Sequence, residues 1–168
     1  MKINDVDIEE LLNIKLMERS IQPPKPIVIK QSVPFLSGSY DFSKIINDDN
    51  ILNDSINCIK KLIDSKMFEI SFLTHVNSLT EGCVKVEYLR RHFKDITIIM
   101  VPKEISKTKV VHSEGAILVD DYSGNLKEWE ENGGISVRFS KELESHGYRV
   151  LNHLDELINM FKNEVNEC

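Results

Sequence analysis

Several things are scarce in this sequence of 168 residues, and each scarcity excludes something. There are three cysteines, Cys58, Cys83 and Cys168, an odd number with no Cys-x-x-Cys spacing, so neither a disulfide framework nor a zinc-thiolate site is indicated. No apolar run approaches the ~20 residues a membrane helix needs, and Met1-Lys2-Ile3-Asn4-Asp5 does not open a signal-peptide core. The protein is therefore expected to be cytoplasmic, with reduced thiols and no membrane partner. Basic residues are outnumbered, 21 against 27 acidic, for a net charge of -6, which argues against a nucleic-acid partner because that wants a basic face. The five histidines show no ligand spacing. There is one tryptophan, Trp129, and its place in a short helix predicts a packing anchor against a sheet.

What is present divides at about residue 45. The first third holds four of the five prolines, Pro23, Pro24, Pro26 and Pro34, together with a Ser37-Gly38-Ser39 turn. It offers a helix over 8–17 and one strand, Ile27-Val28-Ile29. Beyond it, short helices and strands alternate in the pattern of a parallel α/β sheet. Helices are expected over 53–66, 81–93, 125–131 and 150–165. Strands are expected over Phe68–Thr74, Ile96–Val101, Ala116–Val119 and Ile135–Phe139, with a loop at 75–78 and Pro102 stopping the second of these strands.

The chemistry centres on Ala116-Ile117-Leu118-Val119-Asp120-Asp121, an apolar strand that runs directly into two carboxylates. Open α/β sheets bind ligands beyond the carboxyl ends of their strands, so this pair would stand at the mouth of a site. Adjacent carboxylates repel unless a lysine or divalent cation shares the space. On spacing alone, a solvated cap and Asx turn explains the pair equally well. If the strands are parallel, Thr74 at the end of one strand and Lys107 in the connection to another share that edge. A hydroxyl, an ammonium and a carboxylate pair form the elements of a phosphate site.

The order Thr74, Lys107, then Asp120-Asp121-Tyr122 with Asn125, Trp129, Gly133-Gly134 and Phe139 resembles motifs two to four of the haloacid dehalogenase (HAD) superfamily. Within it the pattern is most similar to the 5′(3′)-deoxyribonucleotidase, or type C 5′-nucleotidase, branch. The resemblance covers about residues 51–140. It implies a Rossmann-like HAD-type sheet and Mg²⁺-dependent hydrolysis of a phosphomonoester, such as a nucleoside monophosphate, through an aspartyl-phosphate. Under it, Thr74 hydrogen-bonds the phosphoryl group, Lys107 steadies its charge, with Lys103 the alternative lysine, and Asp120 and Asp121 hold or orient Mg²⁺.

The superfamily's first motif, Asp-x-Asp after the central apolar strand, has one counterpart here, Asp5-Val6-Asp7. It lacks the apolar strand before it and the glycine after it. A second resemblance competes for the same residues. Ile3–Asp7, Glu18–Pro24 and Val33–Ser43, with Asp41-Phe42-Ser43 its most telling piece, are similar to the β-rich N-terminal part of phage distal-tail proteins, which implies no catalytic task for Asp5 and Asp7. The expected organisation is thus an N-terminal segment over 1–45, partly β, and a HAD-like domain over 46–168. Without a first-motif strand the sheet would lack its central member. Ile27-Val28-Ile29 is the best substitute, although it continues into Lys30-Gln31-Ser32 with no carboxylate; a strand from a partner chain in a homodimer is the other solution. The functional alternative to a hydrolase is a non-catalytic, phage-derived binding or assembly protein on the same scaffold.

Overall fold

In a computed structural model, the structure describes residues 25–29 and 41–165. Among the described residues, six parallel strands form one sheet: β1 (Lys25–Ile29), β2 (Phe68–Val76), β3 (Thr97–Pro102), β4 (Ile117–Asp120), β5 (Ile135–Phe139) and β6 (Arg149–Leu151), in the order β3-β2-β1-β4-β5-β6. Helices α1 (Ser55–Ser65), α2 (Leu79–His92), α3 (Ser123–Glu131) and α4 (Glu156–Val165) cover it. The expected Rossmann-like α/β architecture, a parallel sheet flanked by helices, is the observed fold.

The reversal of strand order falls at β1, which pairs with β2 on one side and β4 on the other, Ile29 lying level with Phe72 and Val119. Ile27-Val28-Ile29 thus fills the central slot between β2 and β4. The boundary expected at residue 45 runs between this central strand and the helices that cover it. The helix over 8–17, together with Asp5 and Asp7, lies outside the described residues.

Alternation along the strands sorts the core into two layers, because successive side chains leave opposite faces of a sheet. Ile27, Phe72, Ile117, Val119 and Val137 pack against Ile59 and Leu62 of α1, Leu89 of α2, and Leu157 and Phe161 of α4. Val28, Leu73 and Leu118 pack on the other face against Leu126 and Trp129 of α3. The apolar run of β4 is buried at all four positions, as a central parallel strand covered on both faces must be.

Several of the expected boundaries move, and two of the shifts extend the sheet. The terminal helix expected from Val150 begins instead at Glu156, because Arg149-Val150-Leu151 extends the sheet beside β5. The Glu156 carboxylate then accepts from the backbone amides of Asn152 (3.2 Å) and His153 (2.8 Å), which turns the chain into the helix. The strand expected to end at Thr74 continues to Val76, since His75 and Val76 still pair with Val101 and Pro102 of β3. Pro102 is tolerated as the last residue of an edge strand, where a missing donor costs no central ladder bond. Asp41 caps a short 3₁₀ turn, Phe42–Lys44, and Phe42 and Ile46 dock on Tyr88 of α2.

Candidate active site at the carboxyl edge of the sheet

Asp120 closes β4 at the carboxyl edge, and its side chain is fully buried. Three donors fix it: Lys107 Nζ and Asn125 Nδ2 each lie 2.8 Å from Oδ2, and the Tyr122 amide lies 2.8 Å from Oδ1. Each comes from a different local device. Lys107 sits in a 3₁₀ turn, Lys107–Lys109, on the chain leading into β4. Tyr122 is the turn residue that starts α3, and Asn125 stands in its first turn. Asp120 thus takes part both in a turn, through the Tyr122 amide, and in a buried ion pair, with Lys107. Lys107 is buried and Lys103, the alternative lysine, is exposed. The backbone carbonyl of Asp121 accepts from Arg138 (2.8 Å), which also reaches Ser123 Oγ (3.0 Å) and the Glu144 carbonyl (2.8 Å), tying the acidic turn to the neighbouring loop.

The Trp129 and Gly133-Gly134 pattern has a packing cause. The Trp129 indole donates to the Ala116 carbonyl (2.9 Å) at the foot of β4. Gly133 has φ +80°, the left-handed conformation that ends helices cheaply only as glycine. At Gly134 a Cβ would stand 2.2 Å from the indole, so no other residue fits there without displacing the ring. These three residues frame β4 and thereby Asp120.

Thr74 belongs to a separate cluster. Its side chain leaves β2 on the Phe72 face, whereas Asp120 leaves β4 on the Leu118 face towards α3. The Thr74 hydroxyl accepts from Lys85 Nζ (3.2 Å), which also donates to the His75 carbonyl (2.8 Å) and pairs with Glu81 Oε1 at 2.7 Å. Glu81 Oε2 in turn accepts from the Asn77 amide (2.8 Å) and Asn77 Nδ2 (2.9 Å). Burial alone would raise the Glu81 carboxyl, but the hydrogen bonds from Lys85 and Asn77 outweigh it and hold Glu81 below the usual carboxylate range. The edge therefore brings Lys107, Asp120 and Asn125 together and places Thr74 with Lys85 and Glu81 on the opposite face. The second motif-like residue is engaged by a lysine the sequence reading did not single out. Its signal was available: Ser78-Leu79-Thr80-Glu81 is a capping-box pattern and Glu81 precedes Lys85 by one helical turn. The Ser78 hydroxyl does accept from the Glu81 amide, at 3.1 Å.

His75 bonds the Ile105 carbonyl (3.0 Å) and, among the described residues, no group of three or more His, Cys, Asp or Glu side chains could hold a metal. Cys58 is buried, and burial pushes its thiol up, away from thiolate chemistry. No helix among the described residues is long and apolar enough to cross a membrane.

No family model and no curated protein matches the sequence. The fold is similar to that of D,D-heptose 1,7-bisphosphate phosphatase from B. bronchiseptica, a structure solved with magnesium and phosphate. The match has a TM-score of 0.55 at 16% identity and covers 83% of this chain and 99% of that one. At this identity the likeness speaks for the fold.

Proposed function

We propose that this protein is a phosphomonoester-handling protein of HAD type, with a site built at the carboxyl edge of β4 and a nucleotidase-like hydrolysis of small phosphorylated substrates as its activity. The observation that carries the reading is the buried Lys107–Asp120 pair, 2.8 Å apart, beside the switch point of strand order. Such a crevice is where open α/β sheets take ligands. The solved relative's magnesium and phosphate support the same class of ligand.

The residues that would hold Mg²⁺ are the two consecutive carboxylates at the end of β4. Asp120 and Asp121 supply adjacent carboxylates, and a hard cation held by one or two carboxylates completes its shell from substrate phosphate and water. Bound there, the ion would neutralise charge on the phosphoryl oxygens. The chain's own residues do the rest. Asn125 and the Tyr122 amide hold the Asp120 carboxylate in one orientation, and Lys107 offers its ammonium to a phosphoryl oxygen; Thr74, on the opposite face with Lys85 and Glu81, stands outside this group.

The attacking carboxylate would be Asp5, with Asp7 as its acid. One observation favours a second reading, binding without turnover. The chain leaving β1, the strand whose end lies level with Val119, continues as Lys30-Gln31-Ser32. A phage-derived assembly or binding protein on this scaffold would need no nucleophile. Phosphate release from a panel of nucleoside monophosphates with Mg²⁺ decides between them. The hydrolase reading expects release that Asp5→Asn and Asp120→Asn both abolish. Release unaffected by Asp5→Asn removes that residue, and no release from any monophosphate leaves the binding reading.

A further inference from the structure

The turn that carries Lys107 is fastened on both sides of the lysine to one carboxylate oxygen. Ser106 Oγ and Thr108 Oγ1 both bond Glu128 Oε1, the latter at 2.9 Å, and the two hydroxyls lie 2.7 Å from each other. Two hydroxyl protons thus serve three close contacts, and the carboxylate is the acceptor the cluster needs. Glu128 lies in α3 three residues after Asn125, so the two project from the same side of the helix. Asn125 holds Asp120 while Glu128 holds the turn from which Lys107 reaches the same carboxylate. One helix therefore sets both halves of the ion pair. The connection would otherwise be a 14-residue loop between β3 and β4, with a single 3₁₀ turn, Lys107–Lys109, in it.

We propose that Glu128 is the positioning residue for Lys107, holding its ammonium at Asp120 through the flanking hydroxyls. As a role in ligand binding this rests on the phosphate reading above; as a fastening of Lys107 it is measurable with no ligand present. Lys85 and Lys107 are the internal pair for the measurement, since both side chains are 3% exposed and only Lys107 belongs to the Glu128 cluster.

Reductive methylation of the intact protein, read at each lysine by mass spectrometry, gives the result. Both lysines should be protected in the wild type. Glu128→Ala should speed labelling of Lys107 by about tenfold or more, because modification of a buried amine follows local opening, and should leave Lys85 protected. Glu128→Gln, which keeps an acceptor oxygen, should restore most of the protection, and Thr108→Val should give a smaller gain at Lys107 alone. Unchanged protection of Lys107 in Glu128→Ala, or equal gains at both lysines in Glu128→Ala and Thr108→Val, would overturn the proposal. In calorimetric titration with inorganic phosphate and Mg²⁺, Glu128→Ala should weaken binding by about tenfold, a positioning loss of the size one displaced charged hydrogen bond gives, with Glu128→Gln close to wild type. A wild type that binds no phosphate overturns the phosphate reading while the labelling result stands.

Discussion

Two lysines are buried at the same edge of this sheet, on opposite faces, and they are held in contrasting ways. Lys85 finds its carboxylate one helical turn away, and Glu81 spends both oxygens inside the cluster, on Lys85 and on Asn77. Lys107 reaches a carboxylate 13 residues on, at the end of a central strand, where a second carboxylate follows at once. The first arrangement is a closed network of the kind that braces a helix start and orients a neighbour. The second stands at the carboxyl edge beside the strand-order switch, with Asp121 next in the chain. Burial and pairing alone do not distinguish a brace from a site; what surrounds the pair does.

The sharpest way to break this contrast is through stability. Glu81→Ala leaves the Lys85 ammonium buried without its carboxylate, and should cost about 3–5 kcal/mol in urea unfolding. If it costs under about 1 kcal/mol, the size of an exposed pair, the cluster is not the brace described here. Next in size is Gly134→Ala, whose Cβ would meet the Trp129 indole at 2.2 Å and the Ser113 carbonyl at 2.9 Å. Overpacking of this kind costs about 1–3 kcal/mol, and because Trp129 frames β4 it should disturb the Lys107 side while Lys85 stays protected from labelling.

Acid sharpens the comparison further. Glu81 is held below its ordinary value of 4.5, so its contribution is complete above that value and is lost as pH falls through the lower folded one. Urea midpoints measured downwards from neutral pH should fall in that range, and Glu81→Gln should flatten that limb. An unchanged limb would mean that Glu81 is not charged in the folded protein. The smallest effect is expected at Tyr88, on the same helix as Lys85. Burial, then its bond to Asp48 at 3.0 Å, push the phenol up to about 12. A raised phenol stabilises fully below its unfolded value of about 10, and that stabilisation disappears as pH rises through about 12. Tyr88→Phe should remove the decline over that window, at a cost near neutrality of about 1 kcal/mol.

Much of this was legible in the residues. Periodicity and apolar runs locate strands β2 to β5 and the helices between them, because a buried parallel strand and an amphipathic helix leave different patterns. The run Ile27-Val28-Ile29 is recognisable as the missing central strand because a sheet must satisfy its ladder. Trp129 is recognisable as an anchor. The rest depends on contacts that spacing does not encode. β6 is three residues long, too short to alternate, and exists because β5 offers it an edge. Helix α1 starts at Ser55, two residues late, because Asn53 and Asp54 take left-handed conformations, φ 48° and 53°. That Lys107 is buried and Lys103 exposed is not written in their spacing. The face from which Thr74 leaves its strand follows from the register of β2, which continues two residues past the expected end. Glu128 carries no local signal at all; its partners are 20 and 22 residues away.

The claim that the Lys107–Asp120 edge is a phosphate site is tested most directly by calorimetric titration of inorganic phosphate into the protein with and without Mg²⁺, comparing wild type, Lys107→Met and Asp120→Asn. The account predicts Mg²⁺-dependent phosphate binding in the wild type and its loss in both variants, with Lys85 still protected from methylation in each. Phosphate binding that is indifferent to Mg²⁺ and survives both substitutions, or no binding by the wild type at all, would contradict it.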